Sequence, residues 1–169
     1  MTHTPNIRPF EPQEWVKYKA LRLQALADSP DAFGATLDNE QARSNEEWSG
    51  RLAKGATSEW ELPLVAEVNG EPVGLTWGRI DPANPEVATL YQVWVAPTHR
   101  GLGIGKMLMD AAVAWAKSMY VRYVDLGVTW GDTPATRLYL RTGFEPVGQP
   151  QPLRPGSELL GQRMQLKLK

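Results

Sequence analysis

The chain has 169 residues, a formal net charge of −1, two histidines and no cysteine. That length suits a single domain over residues 1–169 with a substantial core, and the balanced charge gives no bulk attraction to nucleic acid or to an anionic membrane. Disulfides, thiol nucleophiles and thiolate metal sites are excluded, and His3 with His99 cannot make a histidine cluster, so no metal is expected.

No apolar run reaches the ~18 residues of a membrane span. Residues 1–6 have neither the basic nor the apolar region of a secretory signal, so a cytoplasmic location is expected. The seven tryptophans are expected in the core or in pocket walls.

Residues 6–10 read as a short first strand, with Pro9 suited to a sheet edge. Over 11–27, Trp15, Tyr18 or Leu21, Leu23 and Leu26 keep helical spacing, and Asp28-Ser29-Pro30 stops the helix. Residues 31–39 read as a loop with Phe33 and Gly34. Ser44-Asn45-Glu46-Glu47 fits a capping box that opens a second helix through Trp48 to about Ala53. The acidic and polar residues from Asp38 to Glu47 read as a solvated face, or else as one wall of an acceptor groove that favours cations. Residues 64–68 and 73–80 form two strands across Asn69-Gly70, a type I′ hairpin signal. A turn over 81–85 leads into residues 88–95, β-branched and aromatic, expected as a strand buried on both faces and ended by Pro97.

Arg100-Gly101-Leu102-Gly103-Ile104-Gly105-Lys106 follows, with glycine at alternate positions. It opens a helix over 107–118 in which Ile104, Leu108, Ala112, Trp115 and Met119 form one stripe. Alternation over 122–129 gives another strand. Thr133-Pro134 starts a helix with proline in its favoured first position, and Gly143 ends it. Residues 144–147 are a strand, 149–156 a proline-rich connector and 160–168 a closing strand.

A strand feeding a glycine turn that opens a helix presents unpaired backbone N–H groups at the positive end of the macrodipole. Without Cβ atoms a phosphate can approach the backbone closely, and Arg100 can add a charge-assisted contact. The physical reading is a pyrophosphate cradle; the alternative is a tight turn whose glycines only allow close helix–strand packing. The dinucleotide fingerprint G-x-G-x-x-G fails, because Lys106 or Leu108 stands where its last glycine belongs. The P-loop fails as well, at Arg100 and Met107.

The remaining pattern, Arg-x-x-Gly-x-Gly over 100–105, resembles the coenzyme A signature of the GNAT superfamily of N-acetyltransferases. Asp132-x-x-Ala135-x-x-Leu138-Tyr139-x-x-x-Gly143-Phe144 resembles a second segment of that family, and Leu21 to Leu26 with Pro30 to Phe33 is similar to the opening of many bacterial members. The resemblance implies an α/β (three-layer α+β) fold. Its central sheet is mixed but mostly antiparallel, with helices on both faces and a splayed central strand pair.

It further implies acetyl-CoA as cosubstrate and a small-molecule or peptide amine as acceptor, with homodimers common. Coenzyme A would contact the backbone of Val93, Trp94 and Val95, the turn from Arg100 through Gly101, Leu102, Gly103, Ile104 and Gly105 to Lys106, and Asp132 with Ala135. Tyr139 would be the general acid toward the leaving thiolate. Asp132 stands where relatives carry Asn, which removes an amide donor. Some relatives have a glutamate base on the central strand; here Thr89 falls there, so Glu86, just before the strand, is the candidate base, acting through water. The competing readings are a non-catalytic acyl-CoA-binding regulatory module and a transferase with another acyl donor.

Overall fold

A computed structural model describes residues 4–168. The strands are β1 (Asn6–Pro9), β2 (Glu61–Val68), β3 (Glu71–Ile80), β4 (Val87–Val95), β5 (Tyr123–Thr129), β6 (Glu145–Pro152) and β7 (Leu160–Lys167). Among the described residues they build one seven-stranded sheet in the order β1-β2-β3-β4-β5-β7-β6. The helices are α1 (Trp15–Asp28), α2 (Leu37–Gln41), α3 (Asn45–Thr57), α4 (Ile104–Ser118) and α5 (Pro134–Thr142). Only β4 and β5 pair in parallel, as the α4 crossover between them requires.

Each face of the sheet has its own core. On one side α4 and α5 cover Leu64, Ala66, Ala88, Leu90, Val124 and Leu126. On the other, α1 and α3 pack Tyr18, Leu21, Trp48 and Leu52 against Val65, Leu75, Trp77 and Trp94. The expected elements therefore form, with differences that have local causes. Thr36 caps α2 by accepting from the Asn39 N–H, in a stretch read as loop because five helical residues are too few to show a hydrophobic period. The start of the proline-rich connector joins β6, which tolerates Pro146, Pro150 and Pro152 because it is an edge strand. Trp130 is the tryptophan that stays exposed, at 58 %.

The second half of β4 is not buried on both faces. Ala88 and Leu90 belong to the α4 side, whereas Trp94 and Ala96 belong to the α1/α3 side. Residues of one parity on opposite faces need one irregularity between them. It lies at Gln92, whose φ of 62° is left-handed, and there the register with β3 slips between Leu75 and Trp77. This bulge turns the end of β4 away from β5.

Gly55 of α3 sits under the Trp77 ring, where an added Cβ would fall 2.1 Å from Cζ2. Gly55→Ala is therefore expected to destabilise the protein by about 1–3 kcal/mol, as overpacking does, and a thermal melt reads it directly.

At the entry to α1, Arg8 is shared between Glu14 (2.7 Å) and Glu67 (2.6 Å). The Arg8 hydrogen bond is the main force that holds the Glu14 carboxyl down to about 2. A depressed carboxylate pKa stabilises the fold above the unfolded value and stops doing so as pH falls through the folded one. Glu14→Gln should thus cost about 1–2 kcal/mol at pH 7, with the difference from wild type vanishing between about pH 4.5 and pH 2. Urea midpoints across that range check it.

Candidate active site

β4 and β5 are hydrogen-bonded only from Val87 and Tyr123 as far as Leu90 and Leu126. Past the Gln92 bulge they diverge, β4 staying with β3 and β5 with β7. Hydrogen-bonding direction alternates along a strand. With the Ala96 N–H on the Val73 carbonyl, Trp94 faces β3, while the backbone groups of Val93 and Val95 face the gap. A cleft of about 1820 Å³ opens there. That exceeds the ~300–1,000 Å³ of a site for one small ligand, so two substrates fit side by side.

At one end of the cleft the glycine turn enters α4. Gly101 and Gly103 have φ of 80° and 81°, and a Cβ on either would meet nothing within 4 Å. These two are needed for backbone conformation and leave open space above the turn. Gly105 is different: its Cβ would meet Leu138 Cδ2 at 3.3 Å, so the third glycine lets α5 approach α4. The first intrahelical bond runs from the Met107 N–H to the Gly103 carbonyl, and no side chain caps the helix. The N–H groups of Ile104, Gly105 and Lys106 thus point out of the helix end with no intrahelical acceptor.

Tyr139 of α5 lines the same cleft and is only 4 % exposed. Its ring lies 6.0 Å from Phe144. Among the described residues no group is hydrogen-bonded to its hydroxyl, and burial pushes its pKa well above the ordinary phenol value.

At the other end, the turn over Pro30–Ala32 and Phe33 is held down by Arg154. Its guanidinium donates to the carbonyls of Pro30 (3.0 Å), Phe33 (2.8 Å) and Gly34 (3.2 Å). Among the described residues, no group of His, Cys, Asp and Glu could hold a metal ion and no helix is long and apolar enough to cross a membrane.

Residues 23–144 match the Acetyltransferase (GNAT) family. The chain belongs to that family. It is 30 % identical over 143 residues to a mycothiol acetyltransferase of Pseudarthrobacter chlorophenolicus, covering 82 % of this chain and 42 % of the relative. A mycothiol acetyltransferase of Thermobispora bispora is 31 % identical over 143 residues, covering 82 % and 45 %. The chain thus spans less than half the length of these curated relatives. Among solved structures, a GNAT acetyltransferase of Streptococcus pneumoniae superposes with a TM-score of 0.82 at 22 % identity, covering 98 % of this chain and 100 % of that one. The yncA protein of Salmonella typhimurium, solved with its cofactor acetyl-CoA, gives 0.73 at 22 % identity, covering 98 % and 95 %. The expected fold, with its mixed sheet and splayed strand pair, is the one seen.

Within this GNAT domain the candidate residues separate into two groups. Val93, Trp94, Val95, Arg100, Gly101, Gly103, Ile104, Gly105, Lys106, Ala135 and Tyr139 all line the cleft. Four of them are already engaged, Val95 through its carbonyl. The Trp94 indole N–H donates to Asp28 Oδ2 (3.1 Å) and its backbone serves β3. Arg100 donates through Nε to the Val95 carbonyl (2.9 Å) and through Nη2 to Asp28 (2.7 Å), which leaves Nη1 for a ligand. Lys106 pairs with Asp110 at 2.7 Å. Hydrogen bonds from the Ser29 hydroxyl, then Trp94 and Arg100, hold the Asp28 carboxyl below its usual range.

Leu102, Asp132 and Glu86 do not line the cleft. The Leu102 side chain lies in solvent at 63 % exposure. Asp132 pairs with Arg137 at 2.8 Å, while Thr133 caps α5. Glu86 sits where β4 and β5 are still paired, facing Arg122 at 3.5 Å. It is not among the residues that line the cleft, whose β4 lining begins three residues further on at Thr89. Glu40, read as part of a solvated face or a cation-favouring wall, is buried and bonded to Arg43 (2.8 Å) and Arg51 (3.4 Å). Its charge is spent within the protein. Gln92, Arg154 and Arg22 have no distinguishing signal, because a glutamine in a strand and an arginine in a loop or a helix read as solvated.

Proposed function

We propose that the domain transfers the acetyl group of acetyl-CoA to a primary amine, by direct attack of the amine while both substrates are bound. The observation that supports this most is that one cleft joins the strand edge at Val93 and the Val95 N–H, unpaired with β5, the open helix end at 104–106 and the unpartnered Tyr139 hydroxyl. The relatives named as acetyltransferases support the same chemistry.

The residues present fit the donor. N–H groups of the α4 end would hold its diphosphate, and the space left by Gly101 and Gly103 admits it. Backbone groups of Val93 and Val95 would pair with its amides as an added strand does, and an N–H there would polarise the thioester carbonyl. When bound, acetyl-CoA supplies the thioester and a thiol leaving group. Tyr139 would then hydrogen-bond the departing sulfur. A thiol near 8.5 and a phenol near 10 already differ by about 2 kcal/mol against full transfer. Burial of Tyr139 widens that gap. Its part is a shared hydrogen bond while charge develops.

The amine must lose a proton before it attacks. A lysine-like amine costs about 4.6 kcal/mol to deprotonate at pH 7 and an α-amine about 1 kcal/mol. Of the cleft carboxylates, Asp28, Glu40, Asp110 and Asp125 each hold a cationic partner, while Asp31 holds none among the described residues and is exposed. We place proton loss through cleft water, with α-amines the easier acceptors. Calorimetry with acetyl-CoA, followed by thiol release over an amine panel, tests the proposal. Uptake with amine-dependent release is expected; uptake without release on any amine points to a binding module instead.

A further inference from the structure

The far end of the cleft holds a feature that acetyl transfer as such does not use. Arg22 of α1 is 3 % exposed and lines the cleft. Its Nε and Nη1 are enclosed and have no hydrogen-bond partner. The guanidinium lies over the Phe33 ring at 4.7 Å, which orients it without satisfying its N–H groups. The nearby polar groups are committed elsewhere. The Tyr18 hydroxyl donates to Gln92 Oε1 (2.9 Å), and Glu40 is shared by Arg43 and Arg51. Arg51, which also lines the cleft, adds a second guanidinium set 5.0 Å over Trp48. Glu40 is already shared, and Asp31, the other carboxylate lining this end, makes no ion pair with either arginine among the described residues, so the Arg22 charge has no partner.

Burial lowers the Arg22 pKa, yet guanidinium starts so high that it stays charged at neutral pH. A buried, unpaired charge is a costly thing for a fold to keep, and such groups are retained where a ligand completes them. Of anionic groups, a planar carboxylate matches the planar donor fork of arginine.

We propose that Arg22 and Arg51 bind a carboxylate on the acceptor, so that the substrate is a primary amine that also carries a carboxylate. This deepens the transferase reading and rests on it for which end of the cleft is the acceptor's. Arg22 is a substrate-binding residue here, touching the acceptor and taking no proton.

The test uses the full chain and three titrations by calorimetry. The first adds acetyl-CoA alone. The second adds N-acetyl amino acids (small, aliphatic and aromatic) and their carboxamides to the protein, both with and without excess coenzyme A. The third adds inorganic phosphate. The expected result is at least tenfold tighter binding of the acids than of the amides. Arg22→Met should reduce that preference to within twofold, leave acetyl-CoA affinity unchanged, and hold or raise the thermal midpoint because an unsatisfied charge has been removed. Equal affinity for acids and amides in the wild type overturns the proposal and needs no variant. So does an Arg22→Met protein that melts lower while keeping the preference, since the guanidinium is then structural. Tighter binding of phosphate than of any acid overturns the carboxylate assignment. A failed first titration with the acid preference intact sinks the transferase reading while leaving the anion site standing.

Discussion

Tyr139→Phe is expected to lower turnover of acetyl transfer on the order of 10²-fold, at the lower end of what a positioned acid contributes, with acetyl-CoA affinity unchanged. The ring would keep its place, because its packing is with Phe144 at 6.0 Å and it is nine-tenths buried or more. Losing the hydroxyl leaves no orphaned partner, since none is hydrogen-bonded to it among the described residues, so stability should move by no more than about 0.5 kcal/mol. The pH profile offers a second check. Burial moves the Tyr139 phenol upward, so its own ionisation lies above the working range. The acid limb of the profile then belongs to the amine, and the variant should keep its shape while its height falls. Turnover equal to wild type would remove Tyr139 from the mechanism, and an alkaline limb present in wild type and lost in the variant would show that the phenol titrates within the working range.

How far the site shows in the sequence depends on whether a residue's role is local. Gly101 and Gly103 announce themselves because a left-handed backbone in the turn calls for glycine, and the strand before and helix after have clear periods. Tyr139 is placed by its helix, which starts at Pro134 and stops at Gly143, both local signals. The helix after the turn begins at Ile104, three residues before the expected 107, and Ile104 is the residue with which its hydrophobic stripe starts.

Non-local roles are hidden. Ala88, Leu90 and Trp94 share a parity and would share a face in a regular strand; only the Gln92 bulge sends Trp94 across the sheet and opens the cleft. Arg22 lies between Leu21 and Leu23 and reads as the wet side of α1, until Phe33 and the residues around Glu40 close over it. Glu86 is the converse. It is near the central strand in sequence, and strand rise alone moves it away from the open end.

Gly103→Asn separates the two meanings of the glycine turn. Asparagine accepts a left-handed backbone better than other residues with a Cβ, so the φ of 81° at this position can be kept. An added Cβ would meet no protein atom within 4 Å. If the turn served only helix–strand packing, this substitution would be close to silent, costing under about 1 kcal/mol. If a diphosphate sits against the open helix end, the new side chain occupies its space and stands in front of the N–H groups of residues 104–106. The expected outcome is a thermal midpoint within a few degrees of wild type, together with acetyl-CoA affinity lowered at least tenfold, which is about 1.4 kcal/mol.

Gly105→Ala supplies the contrast. Its Cβ would meet Leu138 Cδ2 at 3.3 Å and so faces the protein, not the open space above the turn, and affinity for acetyl-CoA should change less than about twofold. The two variants thus differ in affinity if Gly103 faces the ligand and Gly105 faces the protein. Unchanged affinity in Gly103→Asn would mean that the space above the turn is not where the phosphates lie, and the open end of α4 would lose its role in binding.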